Sequence, residues 1–346
     1  MAIVEMQAWS SFVDNSAAAV IARQENWGCS NEARTYDTDG PFGQGAIAAD
    51  RNTWWVQFDG GLGLTTAYVA FWCYPSYLGL GDRTFSLFSE GTIASPTHHL
   101  DFTWDGSGLI KVKRGSGGTE VARSAAGVLR SFKWHHVMMK MVIDDSAGVV
   151  VVNVNNEEVI NETGLDTQNG GTGLIDTFQW TCEYQYSMRL AEPIIWSGAG
   201  DSPTAFFGFH RVHMIKPDGE TSVAFTPLGA GTNDVEVDEQ AHDDDTSYNE
   251  SSTVTNKDKL TTESLPTGVA TVYAVQAQVL AKDPDGTATE SVKVGLDSGT
   301  ESLSGAKALS TGYEIWEGPI ETVDPNTSSQ WTESNVNATD VVYEHA

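Results

Sequence analysis

The chain has 346 residues, with 19 Lys and Arg against 47 Asp and Glu, and a formal net charge of −28. A surface this negative repels nucleic acid and anionic membranes, so neither is expected as a partner. Aromatic residues are plentiful (11 Trp, 10 Tyr, 13 Phe) and 34 Gly stand against 11 Pro, which argues against disorder and for many short strands joined by tight turns.

The first stretch, "MAIVEMQAWSSFVDNSAAAVIARQENWG", carries Glu5 where a signal peptide needs a basic region, so export by that route is not expected. Apolar runs then recur with turn residues between them: "WWVQF", "AYVAFWCY", "TFSLFS", "HLDFTW", "LIKVKR", "HHVMMKMVID", "VVVVNV" and "TFQWTCEY". The separators, among them "DGSG", "GSGG", "DDSAG" and "QNGGTG", have the Gly, Asp, Asn and Ser that turns require. Eight or more strands without a ten-residue helical period predict an all-β fold, an antiparallel sandwich or jelly roll. Cys29, Cys73 and Cys182 lack metal-ligand spacing and read as reduced packing residues.

From Asp218 onward there are 24 acidic and 5 basic residues. The division expected is a sandwich over 1–216, an acidic connector over 217–262 and a small β domain over 263–346 that anchors or oligomerises. In the last part, "ATVYAVQAQVLAK" alternates as a strand, and "DPDG" turns it into "TESVKVGL" as a hairpin.

Candidates for chemistry are few. On a strand, His135 and His136 point to opposite faces and cannot both grip one ion; a His site shared with His98 or His99 is the functional reading, and packing at the strand entry the structural one. Met138, Met139 and Met141 fall where core filler belongs. In "VEVDEQA", Glu236 and Asp238 share a strand face but Glu239 does not, which fails the carboxylate pattern of a sandwich glycosidase. No catalytic residue is assigned and the chain is expected not to be an enzyme. Oxygen-rich turns make Asp243, Asp245, Asp283 and Asp285 the candidate ligands for a bound Ca²⁺, without a twelve-residue calcium loop. Trp55, Tyr74 and Tyr77 are the aromatics that would stack on sugar rings.

Two resemblances follow. "FGQGAIAADRNTWWVQF", "YVAFWCYPS" with "FSLFSEG", "LDFTWDGSGLIKVKRG" and "FKWHHVMMKMVIDDSAGVVVVNVNNEEVI" resemble the concanavalin A-like or laminin G-like jelly roll, with Asn155-Asn156 in place of the usual Asp-Gly hairpin tip. The stretch from Phe207 to Leu260, "ATVYAVQAQVLAKDPDG" and "DPNTSSQWTESNVNA" are similar to structural proteins of tailed bacteriophages and prophages, including an Asp-Pro-x-Thr-x-x-x-Trp-Thr signature. The usual closing Gly of that pattern is replaced by "NATDVVYEHA". The resemblance implies a homo-oligomeric virion component, made in the host cytoplasm and displayed on the capsid, neck, tail or fibre. Its partners would be other virion proteins and a host-surface glycan. The alternatives are a particle-bound polysaccharide-degrading glycosidase and a module that binds only virion proteins.

Overall fold

The apolar run that begins at Ala67 becomes a ten-residue strand, Thr66–Pro75, and the first half of the chain is built on both of its faces. The structure is a computed structural model that describes residues 3–6, 27–29, 36–37, 40–41, 46–49, 53–57, 63–76, 78, 83–92, 94–181, 188–197, 205–238, 245–269, 271–286 and 290–346. The chain divides into two compact units, the first ending at Val212 and the second running from His213 to Ala346.

The strands of the first unit are β1 (Ile3–Met6), β2 (Trp27–Cys29), β3 (Tyr36–Asp37), β4 (Ala46–Ala49), β5 (Thr53–Gln57), β6 (Thr66–Pro75), β7 (Arg83–Glu90) and β8 (Thr97–Trp104). They continue as β9 (Ile110–Arg114), β10 (Thr119–Arg123), β11 (His135–Val142), β12 (Gly148–Val154), β13 (Glu157–Leu165), β14 (Thr177–Thr181) and β15 (Met188–Trp196). One sheet runs β13-β12-β11-β6-β15-β4-β3, with β1 also on β15, and the other runs β10-β9-β8-β7-β14-β5-β2. The fold is the all-β, antiparallel jelly-roll sandwich that the strand pattern predicts. Thr119–Arg123 forms its ladder on Lys111–Arg114.

Register sets the core. Val137, Met139 and Met141 lie opposite Phe71, Val69 and Ala67 on one side and Val154, Val152 and Val150 on the other. All nine are buried, and their row faces the second sheet. The Phe71 ring meets Trp180 edge-on at 5.8 Å and Phe178 at 6.4 Å, which locks the sheets together through aromatic contact. Cys73 continues this row as a free thiol whose pKa burial pushes up, so it packs and does not react. At the β12–β13 turn, Asn155 and Asn156 sit at φ 53° and 67°, the left-handed pair that a two-residue hairpin tip demands.

The second unit contains β16 (Pro217–Ser222), β17 (Thr226–Leu228), β18 (Tyr248–Glu250), β19 (Lys257–Thr262), β20 (Gln278–Ala281), β21 (Ser291–Asp297), β22 (Glu301–Leu303), β23 (Lys307–Ala308), β24 (Glu314–Glu317) and β25 (Asp340–His345). Its main sheet runs β16-β19-β25-β21-β22, with β23 on β21. Residues 217–262 are therefore not a connector: β19 is an interior strand of this sheet. Its polar composition misleads because Lys257, Lys259 and Thr261 face outward while the buried row is Asp258, Leu260 and Thr262.

Asp258 is fully buried and accepts four hydrogen bonds. The Ala224 and Phe225 amides reach one oxygen at 2.6 and 2.9 Å, and the Asn233 side-chain amide and Tyr343 hydroxyl reach the other at 2.7 and 2.8 Å. The expected hairpin between "ATVYAVQAQVLAK" and "TESVKVGL" is also replaced. Gln278–Ala281 pairs with Glu314–Glu317 instead, and Val275 makes a lone bridge to Glu321. Between those two pairings the partner chain carries Gly318-Pro319, and proline has no N–H to continue the ladder.

Asp258→Ala leaves four donors without their acceptor and is expected to destabilise the second unit by about 3–5 kcal/mol. Hydrogen exchange would show this as lost protection at the Ala224 and Phe225 amides while the amides of β11 stay protected.

Candidate functional site

The outward row of β6, β11 and β15 carries Trp72, His136 and Ala191, and the segment 205–212 lies over it. Phe209 stacks on Trp72 at 5.6 Å, and the Trp72 indole N–H donates to the His210 carbonyl oxygen at 3.1 Å. His136 Nε2 lies 2.7 Å from His210 Nδ1, and His210 Nε2 lies 2.7 Å from the Glu192 carbonyl oxygen. A carbonyl only accepts, so His210 carries its proton on Nε2 and His136 donates from its own Nε2. Both rings are then neutral, and the His136 Nδ1 lone pair is left without a partner.

Glu192 sits at a bulge of β15, at φ 51°, and its carboxyl turns inward to accept the Val212 N–H at 3.1 Å. Burial pushes the Glu192 pKa up to about 7, against the opposing hydrogen bond from Val212 and the charge of Arg211. Burial lowers His136 to about 2, with His210 adding to the effect, and lowers His210 to about 4. The three groups resemble catalytic machinery in composition, but all are buried, at 0%, 7% and 2% exposure. They are a buried polar seam that closes the segment onto the sheet. His135 takes no part: it lies between the Arg130 backbone and the Asn155 side chain.

The accessible site lies at the end of the same sheet. A cleft of about 430 Å³ opens between the loop before β11 and the β12–β13 turn, lined by Arg130, Lys133, Trp134, His135, Asn155 and Glu157 among others. Trp134 is half-buried, with its ring 5.5 Å from Tyr74, and the Arg189 guanidinium lies 5.0 Å over the Tyr74 ring. Beside the cleft, Phe132 adopts φ 58° and remains 68% exposed, pinned by its N–H to the Pro75 carbonyl oxygen at 2.7 Å. A left-handed phenylalanine with an exposed ring holds strain and leaves apolar surface in water.

Of the sequence-predicted sugar-stacking residues, Tyr74 is next to this cleft. The Trp55 side chain and Tyr77 lie outside the described residues. Trp134, Phe132, Arg130 and Lys133 were missed. The signal available was "RSFKW", two aromatics alternating with cations immediately before a strand.

Among the calcium candidates, Asp243 lies outside the described residues. Asp245 is held by the Lys282 ammonium and the Tyr313 hydroxyl, a cation and a donor where a metal would sit. Asp283 is buried and accepts the Asp285 N–H at 3.0 Å, so both belong to one turn. No group of three or more His, Cys, Asp or Glu among the described residues is arranged to hold a metal ion. His98 bonds Ser89, while His99 lies beside Glu90 and accepts the Asn169 N–H. Neither joins His135 or His136.

No family model and no curated protein matches the chain. Among solved structures, an alginate lyase is similar at 13% identity and a TM-score of 0.38, covering 55% of this chain and 95% of that one. Domain 4 of an extracellular arabinanase from Geobacillus stearothermophilus, in complex with arabinotriose, is similar at 16% identity and a TM-score of 0.38, covering 57% and 93%. A Trypanosoma rangeli sialidase matches at 11% identity and a TM-score of 0.34, over 44% of this chain and 25% of that chain. The expectation of a non-enzymatic chain is corrected here, because the matched structures come from carbohydrate-processing enzymes. At these identities and scores they assign no activity to this chain.

Glu192 generates a pH test. Its folded pKa is raised, so its contribution is fully present below the unfolded value of 4.5 and is lost as pH rises through about 7. His136 and His210 act in the opposite direction, losing stability as pH falls below 6.5. Glu192→Gln stays neutral throughout, so its stability relative to the parent should be about 2–3 kcal/mol more favourable at pH 8 than at pH 5. Urea unfolding followed by tryptophan fluorescence reads the first unit, where nine of the 11 Trp lie.

Proposed function

We propose that the chain is a glycan-binding jelly roll that holds a polysaccharide in the cleft formed by Arg130, Lys133, Trp134, His135, Asn155 and Glu157. The observation that carries this reading is an open, polar cleft with an indole in its wall, backed by Tyr74 and flanked by the exposed, strained Phe132. Sugar rings are recognised by an apolar face for stacking together with fixed donors and acceptors for hydroxyls. The cleft supplies both from a hairpin tip and a loop anchored at Pro75 and His135.

The setting we propose is the particle of a tailed phage, with the first unit displayed and the second joined to other virion proteins. Its support is the sequence resemblance of Phe207–Leu260 and of the segments after it. Adding the purified chain to particles that lack it tests this setting. Incorporation is expected, and none at saturating protein would remove it.

Trp134→Ala should weaken binding to a retained polysaccharide at least tenfold, measured by affinity electrophoresis. The first unit should stay folded, because the ring packs on Tyr74 and Trp72 outside the space between the sheets. Shortening of the bound chain during the same incubation would extend the reading from binding to cleavage.

A further inference from the structure

In a chain with 47 acidic residues, most described cations are engaged. Lys257, Lys259 and Lys293 form a ladder with Glu301, Asp297 and Glu344 across the second unit's sheet. In the first unit, Lys111 pairs with Asp105, Arg114 with Asp166 and Arg123 with Glu120. Arg130 and Lys133 differ. Both are exposed, both line the cleft, and among the described residues neither forms an ion pair. Glu157 is the one carboxylate of the lining and pairs with neither. His135 registers both charges: after burial and its bond to the Arg130 backbone, their repulsion helps to hold its pKa below the usual value.

We infer that the ligand of this cleft is an acidic polysaccharide, whose uronate carboxylates meet Arg130 and Lys133 while its ring faces stack on Trp134. This rests on the glycan-binding reading and narrows it. Two unpaired cations three residues apart, beside an indole, match a chain that alternates sugar faces and carboxylates. The rest of the surface works as a filter. With a net charge of −28 the protein repels polyanions everywhere except where local positive charge is left uncompensated, so the cleft also fixes where such a chain lands. A neutral glycan would gain nothing from leaving two cations unpaired on an acidic protein.

The test uses the full chain and three acidic homopolymers, polygalacturonate, polymannuronate and polyglucuronate, each beside the same polymer with its carboxyls reduced to alcohols. Titration calorimetry compares the parent with Arg130→Gln/Lys133→Gln. The expected result is that at least one acidic polymer binds tenfold or more tighter than its reduced form. The double variant should lose that advantage, binding the acidic polymer no more tightly than its reduced form. Equal affinity for acidic and reduced forms, or an acidic preference that survives the double substitution, would overturn the inference and leave glycan binding standing. Failure of the parent to bind any of the six polymers would overturn both. Both replaced side chains are exposed and enter no ion pair among the described residues, so the variant should keep the parent's unfolding midpoint, which the same preparation can confirm.

Discussion

Strand β6 is buried on both of its faces, and that constraint organises the first unit. Its inward residues Ala67, Val69, Phe71 and Cys73 meet the second sheet, as any sandwich strand would. Its outward residues Tyr68, Ala70 and Trp72 are equally removed from water, which requires a cover that the sheet does not supply. Residues 205–212 provide it, with Phe206 and Phe207 against Tyr68 and Trp196 and with Phe209 on Trp72. Covering a strand this way traps whatever polar groups lie in the row. His136 occupies one outward position, so a second histidine and a backbone carbonyl must satisfy it, and the Glu192 bulge brings that carbonyl into reach. The buried histidines and carboxyl are thus a consequence of closing the outer face.

That reasoning separates what sequence shows from what it hides. The sandwich was legible because its core residues alternate and its turns carry Gly, Asp and Asn. The opposite orientations of His135 and His136 follow from strand geometry alone, and the structure reproduces them in the pairing with Cys73 and Trp72. The second unit was harder to read, since the inward row of β19 contains a carboxylate. Asp258 is tolerated there because four donors converge on it from sequence positions 224, 225, 233 and 343, and no local pattern announces such a convergence. The cleft was hidden for a different reason. The loop beside it turns at Phe132, whose left-handed backbone its residue type disfavours and a hydrogen bond to Pro75 of β6 fixes.

The signature in "DPNTSSQWT" acquires a physical meaning in the second unit. Asp324 gathers the Asn326 N–H, the Thr327 and Ser298 hydroxyls and the Asn335 amide. The Trp331 indole donates to the Glu321 carbonyl oxygen at 2.8 Å, and Thr332 caps the short helix Glu333–Val336 through its hydroxyl. Each signature residue that has a side-chain partner uses it to shape one turn and seat one helix beside β25. A motif of this kind reports how a unit folds. Similarity in these residues is therefore evidence about scaffold, and the chemistry that distinguishes this chain has to be sought elsewhere.

It is found where the folding constraints are weakest. The residues that satisfy buried groups, Asp258, His210 and Asp324, are committed to partners. Arg130 and Lys133 stand on a loop whose backbone is held at Pro75 and His135, and among the described residues their charges enter no ion pair. Rigid backbone and uncommitted side chains are the two conditions for a preorganised site. The loop meets both, in the one described stretch where exposed aromatic surface and unpaired positive charge lie side by side.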